Sequence, residues 1–193
     1  MANKYLGILS DLKIVVREIP VTEEKPLKSK RGLYRIADEF IRFWFKFIFP
    51  WRAEIEIGRA ENVLDRIKAG MPQYLSYVYE KVATETIWKN MERFFPFASV
   101  GRWWERNEEI DIVGINSEIN SILLGEVKWS EKPVGTNIYE ELREKAQKLQ
   151  WGRPGRKENF CLFSRKGFTE AMLKRAKEER VVLFKGNVPL EIK

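Results

Sequence analysis

Glu109-Ile-Asp-Ile-Val113 and Gly125-Glu-Val-Lys128 are two short apolar runs with acidic side chains set into them. Between them lies Asn116-Ser-Glu-Ile-Asn120, a turn-forming stretch midway from Asp111 to Glu126. A hairpin folded about that midpoint sets Asp111 opposite Glu126, with Cβ atoms roughly 5 Å apart. Strand side chains alternate between faces, so Glu126 and Lys128 project to the same side. The spacing predicts two carboxylates and one ammonium group gathered at one point on a sheet.

Two carboxylates at that separation suit one hard divalent ion, Mg²⁺ or Mn²⁺, which prefers oxygen ligands and keeps several waters. Such an ion activates water and stabilises charge developing on a phosphate. An ammonium group beside it orients the water or offsets that charge. Gly125 leaves room for close backbone approach. The same residues also satisfy a structural reading. Ile110, Ile112, Val113, Ile122, Leu123, Leu124 and Val127 are the centre of a buried sheet, and Glu126 with Lys128 is then a same-face ion pair. Spacing alone leaves both readings open.

Composition removes several alternatives. The chain of 193 residues has no histidine, which excludes Ser-His-Asp and Cys-His catalysis and histidine metal sites. The single Cys161 excludes an internal disulfide and a cysteine zinc site; its apolar setting, Phe160-Cys-Leu-Phe163, predicts a buried thiol. No Walker A phosphate loop occurs. A net charge of +7 favours a polyanionic partner. The N-terminal residues lack the apolar region of a signal peptide. The apolar run Phe40–Trp51 is interrupted by Arg42 and Lys46 and is too short for a bilayer. A cytoplasmic protein with no membrane partner is expected.

Along the chain, residues 3–12 read as the end of a helix, 14–19 and 32–36 as paired strands, and 20–31 as a long basic loop. Helix, hairpin and basic loop make up the closing half of a winged helix, whose wing would touch a DNA backbone through Lys28, Lys30 and Arg31. A plain hairpin with a solvated loop is the alternative. Residues 38–49 predict an aromatic helix capped by Asp38 and ended by Pro50, with Phe40, Phe43, Trp44 and Phe47 forming a core stripe. A partner groove or subunit interface is its second reading. Residues 52–69 predict a charged helix closed by Gly70, and 73–92 a second helix carrying Glu80. Strands then follow at 97–104, 109–115 and 121–129, a helix at 136–150, a strand at 159–164, a helix at 169–179 and a strand at 181–185. The fold class expected is α/β in the α+β sense, a mixed sheet flanked by helices. The boundaries expected are 1–37 for a partial winged helix, 38–70 for a helical linker and 71–193 for the sheet domain.

This order and these residues resemble the PD-(D/E)XK nuclease superfamily, with its restriction-endonuclease-like core of helix, three-strand meander, crossover helix and further strand. Asp111, Glu126 and Lys128 match its acid and (D/E)-x-K positions, and Glu80 fits its first-helix acid. Ile110 stands where the customary Pro precedes the Asp. More narrowly, the chain looks like the C-terminal region of the archaeal ATPase family, on Lys28-Ser-Lys-Arg-Gly-Leu-Tyr-Arg35, Phe40-Ile-Arg-Phe-Trp-Phe45, Val100-Gly-Arg-Trp-Trp-Glu105 and the two site motifs. The P-loop ATPase module of that family is absent from this sequence, so its ATP hydrolysis does not carry over.

The resemblance implies a metal-dependent DNA endonuclease-like domain associated with a separate ATPase module. In that reading Asp111, Glu126, the Val127 carbonyl and Glu80 hold Mg²⁺ or Mn²⁺, and Lys128 positions the attacking water. Arg102, Arg106 and a Lys/Arg-rich helix over 143–157 hold the phosphodiester chain electrostatically. Surface solvation is the other reading of Arg102 and Arg106. Trp103 and Trp104 are read as packing residues. The competing expectation is a catalytically inert DNA-binding, regulatory or oligomerisation module, with a second copy of the chain among its partners.

Overall fold

The computed structural model describes residues 2–191. Its backbone gathers into two compact units, Met1–Ile19 with Lys25–Leu75, and Pro20–Glu24 with Ser76–Lys193. Among the described residues, no helix is long and apolar enough to cross a membrane.

The first unit opens with α1 (Ala2–Asp11), then β1 (Val15–Glu18) and β2 (Leu33–Ile36), paired antiparallel from Val15 opposite Ile36 to Glu18 opposite Leu33. The Arg17 guanidinium donates to the carbonyls of Pro26, at 3.0 Å, and Ser29, which organises the connecting loop. Next comes α2 (Glu39–Phe43), where the Asp38 carboxylate accepts from the Ile41 N–H at 2.8 Å as the expected N-cap.

Beyond α2 the structure departs from the sequence reading. The aromatic helix does not run as one α-helix to Pro50. It widens into a π-helical turn at Trp44–Ile48 and tightens into a 3₁₀ turn at Phe49–Trp51. Pro50 sits near the start of that turn, where its missing N–H costs little. The chain continues into α3 (Arg52–Glu56). The expected stripe is only partly buried: Phe47 is enclosed, whereas Phe40 and Trp44 are exposed.

Gly70 does not close a helix. A single helix, α4 (Ala60–Lys89), runs through both Gly70 and Pro72. The glycine serves packing: a Cβ there would lie 2.6 Å from Cε1 of Phe47. Phe47 in turn meets Tyr74 edge-on, with ring centroids 5.7 Å apart.

The second unit is built on a six-stranded mixed sheet, whose strands neighbour one another in chain order: β3 (Ser99–Glu105), β4 (Glu108–Asn116), β5 (Ser121–Lys128), β6 (Lys157–Ser164), β7 (Val182–Lys185) and β8 (Val188–Pro189). The first three form an antiparallel meander. The β5–β6 and β6–β7 pairs are parallel, so they need crossovers. These contain α5 (Thr136–Lys148) and α6 (Glu170–Glu179). The fold class is as expected, a mixed sheet flanked by helices, with a helix, a three-strand meander, a crossover helix and a further strand in that chain order. The short β8 is an addition to the expected elements.

Two apolar layers cover the sheet. Ile122, Leu124 and Leu162 pack with Tyr139, Leu142 and Ala146 of α5 and Met172 and Ala176 of α6. Leu123, Val127, Cys161 and Phe163 pack with Tyr79, Ala83 and Ile87 of α4. Alternation along β5 therefore assigns odd positions to the α4 side and even positions, Glu126 included, to the α5 side.

Candidate metal and phosphodiester site

The β4–β5 turn is fixed by its own polar residues. The Asn116 side chain accepts from the Glu118 and Ile119 N–H groups, at 3.0 and 3.4 Å, and Asn120 takes a left-handed conformation with φ of 50°, which asparagine tolerates well. From Asn116 opposite Ser121 the register runs to Ile112 opposite Gly125. One step further are Asp111 and Glu126, as the midpoint of the turn predicts.

A β-bulge lies at this step on the other edge of β4. Gly101 pairs with Val113 and Trp103 with Ile110, so Asp111 and Ile112 together face the single residue Arg102. The bulge breaks the alternation of β4: Ile110 belongs to the α5-side layer and Ile112 to the α4-side layer, although unbroken pleating would put them on one face. Bulges re-aim side chains in this way, and they concentrate beside active sites.

Asp111 is 7% exposed, and its Oδ2 accepts from the Val127 N–H at 2.9 Å. The N–H and C=O of one strand residue point to the same edge, so the Val127 carbonyl also faces β4. Burial, then the Glu126 and Glu80 carboxylates, push the Asp111 carboxyl up to about 7. Glu126 is equally enclosed, at 5% exposure. Its Oε1 receives Lys128 Nζ at 2.7 Å and its Oε2 receives Lys145 Nζ at 3.1 Å. Burial lowers the Lys128 pKa, but Glu126, Asp111 and Glu141 outweigh burial and raise it. Lys128 is therefore an ammonium group at neutral pH.

The other expected residues divide into three groups. Glu80, on α4, lies near enough to act on Asp111 electrostatically and forms an ion pair with Arg102 at 3.6 Å. Arg102 also meets Glu109 at 3.1 Å, so it bridges two carboxylates and is not merely solvated. Arg106 is exposed in the β3–β4 turn, in a left-handed conformation. Lys28, Lys30 and Arg31 belong to the first unit.

The basic stretch 143–157 is not one helix. It ends as a helix at Lys148, and Arg156 returns to donate to the carbonyls of Ala146, Leu149 and Trp151 at 2.8 to 2.9 Å. Arg156 thus closes the C-terminus of α5. Trp103 is buried in the core as expected.

Lys145 is the residue that motif reading missed. Its signal was available: it stands three positions after Leu142 and four before Leu149, which sets a cation on the edge of the buried stripe of α5.

Among the described residues, no group of three or more Asp, Glu or Cys is arranged to hold a metal ion. The residues that could hold an ion, Asp111, Glu126 and the Val127 carbonyl, offer only hard oxygens. This set suits Mg²⁺ or Mn²⁺, which fill their remaining positions with water and substrate oxygens. It does not suit an ion that requires nitrogen or sulfur.

A family model for DUF234, described as archaea bacterial proteins of unknown function, matches residues 44–147. The chain belongs to this family. The matched segment contains Glu80, Asp111, Glu126, Lys128 and Lys145, so the DUF234 region carries the whole cluster. A Methanocaldococcus jannaschii relative, Uncharacterized protein MJECL04, is 42% identical over 130 residues, covering 66% of this chain and 29% of the relative. This DUF234 chain therefore matches less than a third of that relative's length. A crystal structure of a repair endonuclease from Pyrococcus abyssi is similar over 56% of this chain and 45% of that one, with 17% identity and a TM-score of 0.35.

Proposed function

We propose that the second unit is a metal-dependent DNA endonuclease module that cleaves phosphodiester bonds. The observation that carries this reading is the enclosed pair Asp111 and Glu126, one step beyond Ile112 and Gly125 in the β4–β5 register, with Lys128 on the same carboxylate. Asp111, Glu126 and the Val127 carbonyl would hold Mg²⁺ or Mn²⁺, with Glu80 assisting from α4. When bound, the ion supplies Lewis-acid stabilisation of phosphate charge and a more acidic water.

Lys128 is held as a cation by Glu126, so it orients the water and offsets negative charge rather than removing a proton. Glu126 sets the position of both lysines. Arg102 fixes Glu80, and Arg106, at the exposed turn, contacts the phosphate chain. Lys28, Lys30 and Arg31 add backbone contacts from a winged-helix remnant in the first unit.

The test is cleavage of plasmid and oligonucleotide DNA with Mg²⁺ or Mn²⁺. Activity is expected to fall by about 100-fold or more in Asp111→Ala and in Lys128→Ala, the scale on which removal of a transition-state charge partner acts. Cleavage that persists in both variants removes the assignment.

A second reading has its own support. Both Glu126 oxygens are occupied by lysines, which is also how a nuclease-like fold without catalysis would neutralise its buried acid. The module would then bind DNA, regulate or self-associate. Calorimetric titration of Mn²⁺ separates the two readings: saturable binding lost in Asp111→Ala/Glu126→Ala favours the nuclease.

In either case the resemblance to archaeal ATPase C-terminal regions, together with the greater length of the matched relative, supports a P-loop ATPase module as partner. It also implies a cytoplasmic setting.

A further inference from the structure

Residues 25–52 contain eight Lys or Arg against two Asp or Glu, which is six of the chain's seven net positive charges. The same stretch holds eight aromatic residues. None of the aromatic residues has a part in the Asp111–Glu126 site. The rings sort into two sets, with Tyr34 and Trp51, at 47 and 37% exposed, falling in the outer one. Phe43 and Phe47 turn inward onto Tyr74, with centroids 5.9 and 5.7 Å away. Phe40, Trp44, Phe45 and Phe49 are 72, 42, 50 and 42% exposed.

A π-helical turn at Trp44–Ile48 interrupts the helix between these rings. A wider turn adds a residue without advancing the apolar stripe, and such turns recur at functional positions. Some of these rings already meet flat cations: the Arg52 guanidinium lies 4.4 Å from the Phe49 centroid, and Arg66 lies 3.6 Å from that of Trp51.

We propose that this segment of the first unit is a binding surface for single-stranded nucleic acid, with Phe40, Trp44 and Phe45 as stacking platforms and the surrounding Lys and Arg residues as the backbone contact. Exposed rings interleaved with cations are the arrangement that holds single strands, because every base has a face to stack and every nucleotide a phosphate. A duplex hides its base faces, so duplex binding uses only the charge. The α, π and 3₁₀ pieces are each three to five residues long, unlike the long continuous amphipathic helix that lies in a membrane surface. The inference goes beyond the nuclease reading and requires neither Asp111 nor a metal ion.

The test is fluorescence anisotropy of a labelled oligothymidylate with the full chain in chelator, beside a duplex of the same length and vesicles of anionic lipid. Trp44→Leu and Phe45→Leu keep apolar bulk and remove the stacking ring. Each is expected to weaken single-strand binding by about 5- to 100-fold and duplex binding by much less, while Trp44→Phe retains most of the affinity. Thermal unfolding of each variant checks that the fold is intact, and a Leu variant that unfolds is replaced by Trp44→Phe/Phe45→Tyr, for which near wild-type binding is required. Equal losses on single strand and duplex, unchanged affinity in the Leu variants, preference for vesicles, or no binding by wild type would each overturn the proposal. Because the measurement is made without metal, its failure leaves the cleavage assay untouched, and absent cleavage leaves this binding untouched.

Discussion

Asp111 accepts the Val127 N–H at 2.9 Å, so a side chain of β4 takes the place of a backbone partner for β5, one residue beyond Glu126. The bond locks the acid in position but does not outweigh the burial and the neighbouring carboxylates that hold its pKa near 7.

That pKa has a consequence for stability. In the unfolded chain Asp111 releases its proton near the ordinary carboxylate value of 3.8, and in the folded chain near 7. Between these values the folded state binds more protons, so metal-free stability falls as pH rises through this window and stays low above it. Asp111→Asn keeps the acceptor for Val127 and removes the charge. It is expected to raise stability at pH 8 by roughly 4 kcal/mol, about three tenfold changes in proton affinity at ~1.4 kcal/mol each, and to change little at pH 4. Urea unfolding at the two pH values checks this; an equal effect at both would remove the electrostatic cause.

Lys128 and Lys145 should be redundant singly and indispensable together. Each holds one oxygen of the buried Glu126, so Lys128→Met or Lys145→Met leaves one partner and costs about 1 kcal/mol. The double variant strands a buried carboxylate and costs about 3–5 kcal/mol. A double-mutant cycle by chemical denaturation reads the difference, and simple additivity would show that the two bonds act independently.

At Gly125 the close approach is made by the core, not by solvent. A Cβ there would lie 2.6 Å from Cys161 Sγ and 3.1 Å from Ile112 Cβ. Gly125→Ala is expected to destabilise by about 1–3 kcal/mol through overpacking. Gly125→Ala/Cys161→Ala should recover part of that loss, because the two sites share one space. Thermal unfolding of the three variants decides it.

Gly70 offers a parallel test in the first unit. In an open helix, Gly→Ala gains about 1 kcal/mol. Here the added methyl meets Phe47, so Gly70→Ala is expected to lower the Tm, and Gly70→Ala/Phe47→Leu to restore much of it. A single substitution that raises the Tm would place the ring elsewhere.

The hairpin could be read from sequence because its signals are local: alternation on both strands and an Asn-rich turn at the midpoint. The order of strands and helices along the chain followed from apolar runs separated by amphipathic helices. What escaped was set by contacts distant in sequence. Gly70 and Pro72 are stop signals by propensity, and tertiary packing carries α4 through them. The bulge at Asp111 appears only when β3 is paired with β4, since nothing in Ile110-Asp-Ile-Val113 marks an extra residue. Lys145 was passed over because its partner is on another element; a cation beside an apolar stripe identifies a buried edge, but not the acid it meets.

The turn at 116–120 acts as a ruler. It brings Asp111 and Glu126 together only while the number of residues from Asp111 to the turn matches the number from the turn to Glu126. One residue gained or lost on either strand slides every partner by a position and turns a row of side chains to the opposite face. Added length is tolerated at the tip, where the backbone is exposed, but not between Ile112 and Gly125, whose partners are fixed by two packed layers. The chemistry of the cluster is thereby tied to a count of residues as firmly as to their identity.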